Sequence, residues 1–390
     1  MKICAVIAEY NPFHLGHLKH IEYVKNNLNA EKVIVIMSGN FTQRGEMAIL
    51  DKFTRAKHAV LAGADLVIEL PTVFATANAE VFAKGAVNII NSLGVVDGIC
   101  FGVESGDKES YINLANAMND ESKEFKKAVK SFLDDGVSLA KAKFEALSSL
   151  NDEKYDKALI SSPNNILGLE YTKALLKLNS NIEIYPMIRT GDHNDQTLKK
   201  GITSASSIRN ALYLGQKRKV KPCVPKFVYG DLETQPLYFD KLAIANIMTA
   251  NAKEMAKILD CTEGLENRII ALAKDNHSLD VLVDKISTKR YTKTRIRRII
   301  LSNLLKIDKY LIQDCLENKL YAKILAVNEK EKGLISLLTK NSSIPILTRK
   351  SDTVELKKIA KTCFATDVLA NDIYALCSGK KQNENQTLFI

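Results

Sequence analysis

Two histidines near the start of the chain, His14 and His17, carry its densest chemical signal. They belong to Glu9-Tyr10-Asn11-Pro12-Phe13-His14-Leu15-Gly16-His17, which follows the apolar run Ile3 to Ala8 and opens a helical pattern. A strand that runs into a helix offers unpaired backbone amides and a positive dipole end to an anion. Two imidazoles there can donate to phosphate oxygens, and Gly16 allows close backbone approach. Such a set suits phosphoryl or nucleotidyl transfer, where charge builds up on a pentavalent phosphorus. Two other readings use the same residues. The pair could close the helix start through local hydrogen bonds, or His14, His17 and His20 could ligate a metal. The metal reading is the weaker, because three-residue spacing drifts around a helix and no carboxylate or thiol accompanies the histidines.

A second signal lies far along the chain, at Thr203-Ser204-Ala205-Ser206-Ser207-Ile208-Arg209. A hydroxyl-rich loop before helix-forming residues caps that helix, and the cap is compatible with holding a phosphate.

The elements that must bring these segments together are short and regularly spaced. Apolar runs at Ile3 to Ala8, Lys32 to Met37, Leu66 to Glu69 and Gly98 to Phe101 alternate with helical patterns from about His14, Phe53 to Leu61 and Asn78 to Asn91. The runs lack polar alternation, as strands do when helices cover both faces of a parallel sheet. The predicted fold is α/β, a doubly wound, Rossmann-like parallel sheet whose carboxyl edge holds the ligand. Helical cover is expected over Asp107 to Leu150, a helix start at Ser162-Pro163-Asn164 and a returning strand at Glu183 to Ile188.

Between Gly215 and Pro225 the composition turns to Lys217, Arg218, Lys219, Lys221, Pro222 and Pro225, which suits a domain junction. The expected division is a catalytic domain over 1–215 and a mainly helical, basic, RNA-binding domain over 216–390. Strand and helix alternate again weakly from Tyr321 to Ala360, a small α/β element expected to close the second domain. Ser378 to Gln386 offers little to bury and is expected to fray.

The chain of 390 residues has 55 basic and 45 acidic side chains, a formal charge of +10, which favours an anionic partner without naming it. Seven scattered cysteines form no CxxC pair, so reduced structural thiols are expected rather than a zinc clamp. No long apolar segment reads as a signal or a membrane span, and the expected compartment is the cytoplasm.

HxGH after the first strand, joined to a late hydroxyl-rich loop ending in Ile-Arg, resembles the HIGH superfamily of nucleotidyltransferases. The late signature of that superfamily, I-S-S-T-x-I-R, is met at Thr203 to Arg209 with Thr203, Ala205 and Ser206 as departures. A finer resemblance is to the tRNA(Met) cytidine acetate ligase family. It rests on the N-terminal motif, on Met37-Ser38-Gly39-Asn40-Phe41-Thr42-Gln43-Arg44-Gly45-Glu46, on Gly63 to Pro71 and on Ser162-Pro163-Asn164-Asn165-Ile166-Leu167-Gly168. It is strong to about residue 215 and looser beyond.

This resemblance implies ATP-dependent activation of acetate to acetyl-adenylate, followed by transfer to the wobble cytidine of elongator tRNA(Met). It also implies site residues. His14 and His17 would act on the α-phosphate. Ile7, Ala8, Glu9, Tyr10, Asn11, Pro12, Phe13, Gly16 and His20 would line the ATP stretch, with Gly102 beside adenosine. Asn164 or Asn165, with Asn165 favoured, would bond the nucleoside, and Arg189, Ser206 and Arg209 would meet phosphates. Magnesium would be bound through the ATP phosphates, without a protein metal site. Ser38, Gly39, Gln43 and Arg44 are candidates for acetate or the target base. Asp65 and Glu69 suit a helix cap as well as catalysis.

From Ser287 to Lys306 seven basic residues occur with no acid. On a helix Arg290, Lys293 and Arg297 share a face that could track tRNA phosphates, and Tyr291 could stack on a base. Two other functions use much of the same pattern: a small-molecule adenylyltransferase of cofactor biosynthesis, and a nucleotide-sensing RNA-binding protein without catalysis. Acetyl-CoA chemistry is disfavoured, since no G-x-x-x-x-G-K-[ST] loop or coenzyme A signature occurs.

Overall fold

The computed structural model describes residues 1–119, 122–134, 139–150, 155–189, 201, 203–234, 237–380 and 382–390. Strands β1 (Ile3–Ala8), β2 (Lys32–Ser38), β3 (Leu66–Leu70), β4 (Gly98–Val103) and β5 (Glu183–Ile188) are parallel neighbours. Successive side chains leave opposite faces of such a sheet. Ile3, Ala5, Ile34, Ile36, Leu66, Ile68, Ile99 and Phe101 enter one core. Cys4, Val6, Val33, Val35, Val67 and Cys100 enter a second. Both faces are therefore apolar, which is why the strands read as continuous hydrophobic runs.

With β6 (Ala322–Val327) and β7 (Ile346–Leu347) beyond β3, the strand order is β5-β4-β1-β2-β3-β6-β7. The chain winds from β1 through β3 to one side, then returns to lay β4 and β5 on the other. This reversal leaves a crevice between the carboxyl ends of β1 and β4, where ligands of doubly wound sheets bind.

The C-terminal strands correct one expectation. β6 (Ala322–Val327) pairs antiparallel with β3, and β7 (Ile346–Leu347) and β8 (Leu388–Phe389) pair with β6, so they extend the first sheet and do not close a second domain. Every residue of β6 is buried, and β3 would otherwise carry unpaired backbone groups along its edge. The second core also draws on Val220, Cys223, Val224 and Val228, so the division expected at residue 215 coincides with no break in sheet or core.

The expected fraying tail is anchored as well. Glu384 is 6 % exposed and binds Lys52 Nζ with both carboxylate oxygens at 2.7 Å. Lys52 Nζ also donates to both oxygens of Glu69 at 2.8 and 2.9 Å. Lys323 pairs with Glu69 at 3.0 Å and with Glu384, completing a buried square of two cations and two anions. Glu69 is thus an ion-pair partner, while Asp65 accepts from Val33 N and pairs with Lys25. Charge pairing, invisible in a polar stretch, holds the tail. Lys381, part of that stretch, lies outside the described residues.

None of the seven cysteines is in a disulfide. Among the described residues no helix is long and apolar enough to cross a membrane.

Candidate active site

A cavity of about 290 Å³ opens at the predicted crevice. Ile7 and Ala8 from β1, Phe101 and Gly102 from β4, and Met187 from β5 form its floor. Three helix starts face it. Helix Leu15–Asn26 is capped by His14, helix Pro163–Lys177 by Ser162 and helix Ala205–Tyr213 by Ser204. Each end concentrates unpaired amides and partial positive charge, so the three together favour a polyanion.

The two histidines are set by the backbone. Gly16 N donates to His14 Nδ1 at 3.0 Å and His14 N donates to His17 Nδ1 at 3.2 Å, which closes a capping box. Both Nδ1 atoms accept, which leaves Nε2 as the proton-bearing nitrogen of each ring. The rings stack with centroids 3.7 Å apart. The helix-closing role and an anion-binding role therefore use different nitrogens of the same rings. His20 differs: its Nε2 lies 3.2 Å from Cys100 Sγ, and burial, with Arg189 nearby, pushes it down to about 4.

The distant loop arrives at the same place. Arg209 Nη1 donates to Asn11 O at 2.7 Å and Nη2 to Ser206 Oγ at 3.3 Å, and both Ser206 and Arg209 line the cavity. Arg189 leans over Gly102, where an added Cβ would come within 3.0 Å of its side chain. Among the described residues, with Lys19 and Arg44 the wall holds four basic side chains outside the histidines, against one carboxylate, Glu9. Phe82, Phe101, Leu167 and Tyr171 give it an apolar side that suits a planar base.

Of the predicted residues, Ile7, Ala8, Glu9, Tyr10, Asn11, His14, Gly16, His17, His20, Gln43, Arg44, Gly102, Asn164, Arg189, Ser206 and Arg209 all line this cavity. Others do not. Pro12 and Phe13 are buried beneath it. Asn165 is fully buried and spent: it accepts from Glu104 N at 2.8 Å and donates to Ser105 Oγ and Ala158 O. Asn164 is the asparagine on the wall, held by Glu104 Oε1 at 2.7 Å. Helical geometry turns only one of two adjacent side chains toward a given side, which corrects the preference for Asn165.

Ser38 and Gly39 lie below the wall, and their carbonyls accept from Arg55. That guanidinium also takes Leu50 O at 2.9 Å and Glu9 O at 2.5 Å, fastening the ends of β1 and β2 to the loop that follows β2. Sequence reasoning misses Arg55. Its signal is the spacing of Lys52, Arg55 and His58, three polar side chains that all point inward on helix Lys52–Leu61. The loop is tied down further by Gln43 N donating to Glu9 Oε1 at 2.8 Å and Ile49 N to Asn11 Oδ1 at 2.9 Å. Gln43 Nε2 and Tyr10 Oη are buried on the wall with no hydrogen-bond partner among the described residues, polar groups that a ligand would satisfy.

The basic stripe is a further correction. Helix Lys293–Leu305 packs against the same loop, since a Cβ on Gly45 would sit 2.7 Å from the backbone of Arg297 and Arg298. Arg290 pairs with Glu263, Lys293 with Asp284 at 2.6 Å and Arg297 with Asp280 at 2.7 Å. Tyr291 donates to Glu263 and lies under Arg295. The acids come from neighbouring elements, so a segment without acids is not an unpaired face.

Comparison with known proteins decides the family. The HIGH Nucleotidyl Transferase family matches residues 1–388. A tRNA(Met) cytidine acetate ligase of Alkaliphilus metalliredigens is 38 % identical, aligned over 96 % of this chain and 94 % of its own. One from Caldanaerobacter subterraneus is 39 % identical over 96 % and 95 %. The chain belongs to the tRNA(Met) cytidine acetate ligase family. Two crystal structures of Thermotoga maritima TmcAL superpose over the whole of both chains, the apo form with a TM-score of 0.93 at 30 % identity and the form bound with alpha-thio ATP with 0.90 at 29 %. The likeness runs through the C-terminal residues too, since the whole chain is covered.

Proposed function

We propose that this protein is an ATP-dependent ligase that activates acetate and acetylates the wobble cytidine of elongator tRNA(Met) to N(4)-acetylcytidine. The observation that carries the reading is convergence. His14 and His17 from the first helix start and Ser206 and Arg209 from a loop almost two hundred residues later wall one cationic cavity at the sheet's switch point. The relatives named as such ligases, and the one crystallised with an ATP analogue, support the same reading.

In the first step an acetate oxygen attacks the α-phosphorus in line. A new P–O bond forms as the bond to the bridging oxygen breaks, and pyrophosphate leaves with the electron pair. The Nε2–H groups of His14 and His17, with the amides behind them, stabilise charge on the phosphoryl oxygens. Arg189 and Arg209 neutralise the departing phosphates, with Ser206 as a hydroxyl donor. Magnesium would come bound through the ATP phosphates. In the second step the cytidine amine attacks the acetyl carbonyl, AMP leaves and the nitrogen loses a proton. Gln43 and Arg44, the two loop residues on the wall, would meet acetate or the base. A tRNA substrate would put the work in the cytoplasm.

The test is incubation with ATP, labelled acetate and bulk tRNA. Label in tRNA, dependent on both ATP and acetate, supports the ligase. Pyrophosphate release only with another acceptor would point to cofactor biosynthesis, and binding without turnover to a sensor. Loss of one preorganised donor costs about 10²–10³ in rate, so His17→Ala should abolish acetate-dependent ATP–pyrophosphate exchange while the protein stays folded. Retained exchange would remove His17 from the mechanism.

A further inference from the structure

The helix that begins at the cavity with Ser206 and Arg209 ends at Tyr213, roughly 12 Å farther out at 1.5 Å per residue. There the chain surfaces. Leu214 is 71 % exposed, and the short helices that follow turn Arg218, Lys219 and Lys221 to solvent, with Lys226 next to them in sequence. Among the described residues no carboxylate pairs with any of these four, unlike Arg290, Lys293 and Arg297. Lys217 is already used: it donates to Leu232 O and lies 5.3 Å from the Tyr229 ring centre. It forms, with Arg218 and Lys219, one side of an open groove of about 620 Å³.

Four exposed cations within nine positions repel one another, and a polyanion relieves that repulsion. Two exposed rings lie near one another, Tyr213 being within electrostatic reach of Tyr238. Tyr213 is 43 % and Tyr238 65 % exposed, and Tyr213 lies within electrostatic reach of Arg209 in the cavity wall. Cations that track a phosphate backbone, with exposed rings on the path to a pocket that takes one base, are what single-stranded RNA recognition requires.

We infer that the RNA backbone docks on Arg218, Lys219, Lys221 and Lys226, placing the nucleotide to be modified over the cavity, rather than along the Arg290–Arg297 stripe. The inference rests on the ligase reading and adds to it the surface that holds the substrate.

The experiment measures the affinity of an elongator tRNA(Met) transcript over a salt series for the wild type, for R218A/K219A/K221A/K226A and for R290A/K293A/R297A. The first variant should bind at least tenfold more weakly at low salt. Its log–log salt slope should fall by about 0.7–0.9 for each phosphate no longer neutralised, with ATP affinity unchanged. The charge-keeping R218K/K219R/K221R/K226R should bind like wild type, which separates charge from folding. Tyr238→Ala should weaken binding with little change of slope, because stacking releases no counterions. Wild-type affinity and slope in the folded fourfold alanine variant, or a loss found only in R290A/K293A/R297A, overturns the docking face. If the wild type acetylates tRNA, either result sinks this inference alone. A wild type that neither binds nor acetylates tRNA sinks the ligase reading, and the docking face with it.

Discussion

Arg209 Nη1 donates to the backbone oxygen of Asn11 at 2.7 Å, joining two segments 198 positions apart. The bond does more than close the wall. It occupies one edge of the guanidinium with a fixed carbonyl, and the group is half-buried in the cavity wall. The remaining donors are aimed and cost little to order when a phosphate arrives. Arg209→Ala should weaken ATP binding roughly 10- to 100-fold, the worth of a charge-assisted hydrogen bond or two. Arg209→Lys should recover only part, since an ammonium cannot hold Asn11 and a phosphate in one plane. Calorimetric titration with a non-hydrolysable ATP analogue checks both, and unchanged affinity in the alanine variant would remove Arg209 from the site.

Adjacent asparagines should separate cleanly by assay. Asn165→Ala strips three hydrogen bonds from a fully buried side chain and should cost about 1–3 kcal/mol in urea unfolding. Asn164→Ala should leave stability nearly untouched and raise the KM for ATP. The reverse pattern would restore Asn165 as the nucleoside contact.

His20 gives a pH dependence of defined sign. Its folded value is pushed down to about 4 by burial and by Arg189, against about 6.5 for an unfolded imidazole. The unfolded chain then binds more protons between those values, so this histidine's stabilisation is complete above about pH 6.5 and is lost as pH falls toward about 4. Melting temperatures of the wild type should decline through that window more steeply than those of His20→Gln. Parallel curves would show that His20 titrates normally.

Glu384 should matter far more than a residue in a polar tail. Removing it leaves Lys52 and Lys323 sharing the single charge of Glu69 in the interior, and breaking such a pair costs about 3–5 kcal/mol. Glu384→Ala should lose that much in denaturant unfolding, whereas Asn385→Ala, next to it in the same polar stretch, should stay within about 0.5 kcal/mol. A neutral Glu384→Ala would mean the tail is not anchored by charge.

The first sheet was legible because its physics is local. An uninterrupted apolar run has few environments open to it, and β1 and β5 begin and end where the residue pattern places them. The site was legible where spacing carries direction, as in His14-Leu15-Gly16-His17. It was not legible where partners come from elsewhere. Arg290, Lys293 and Arg297 find their acids on other elements, and Lys52 finds Glu384 more than three hundred positions away. β6 reads like part of a separate unit because nothing near residue 322 records the open edge of β3. Asn164 and Asn165 cannot be told apart by type, only by the rotation of a helix.

The position of β8 and Glu384 has a consequence for how the enzyme comes into being. The sheet that carries the histidines gains its last partner strand, and the buried square its fourth charge, only from residues 384–389. Until Glu384 is delivered, Lys52 and Lys323 are left to share Glu69. A polypeptide cut short of residue 384 would hold every residue of the cavity wall and still lack half the negative charge of that buried square.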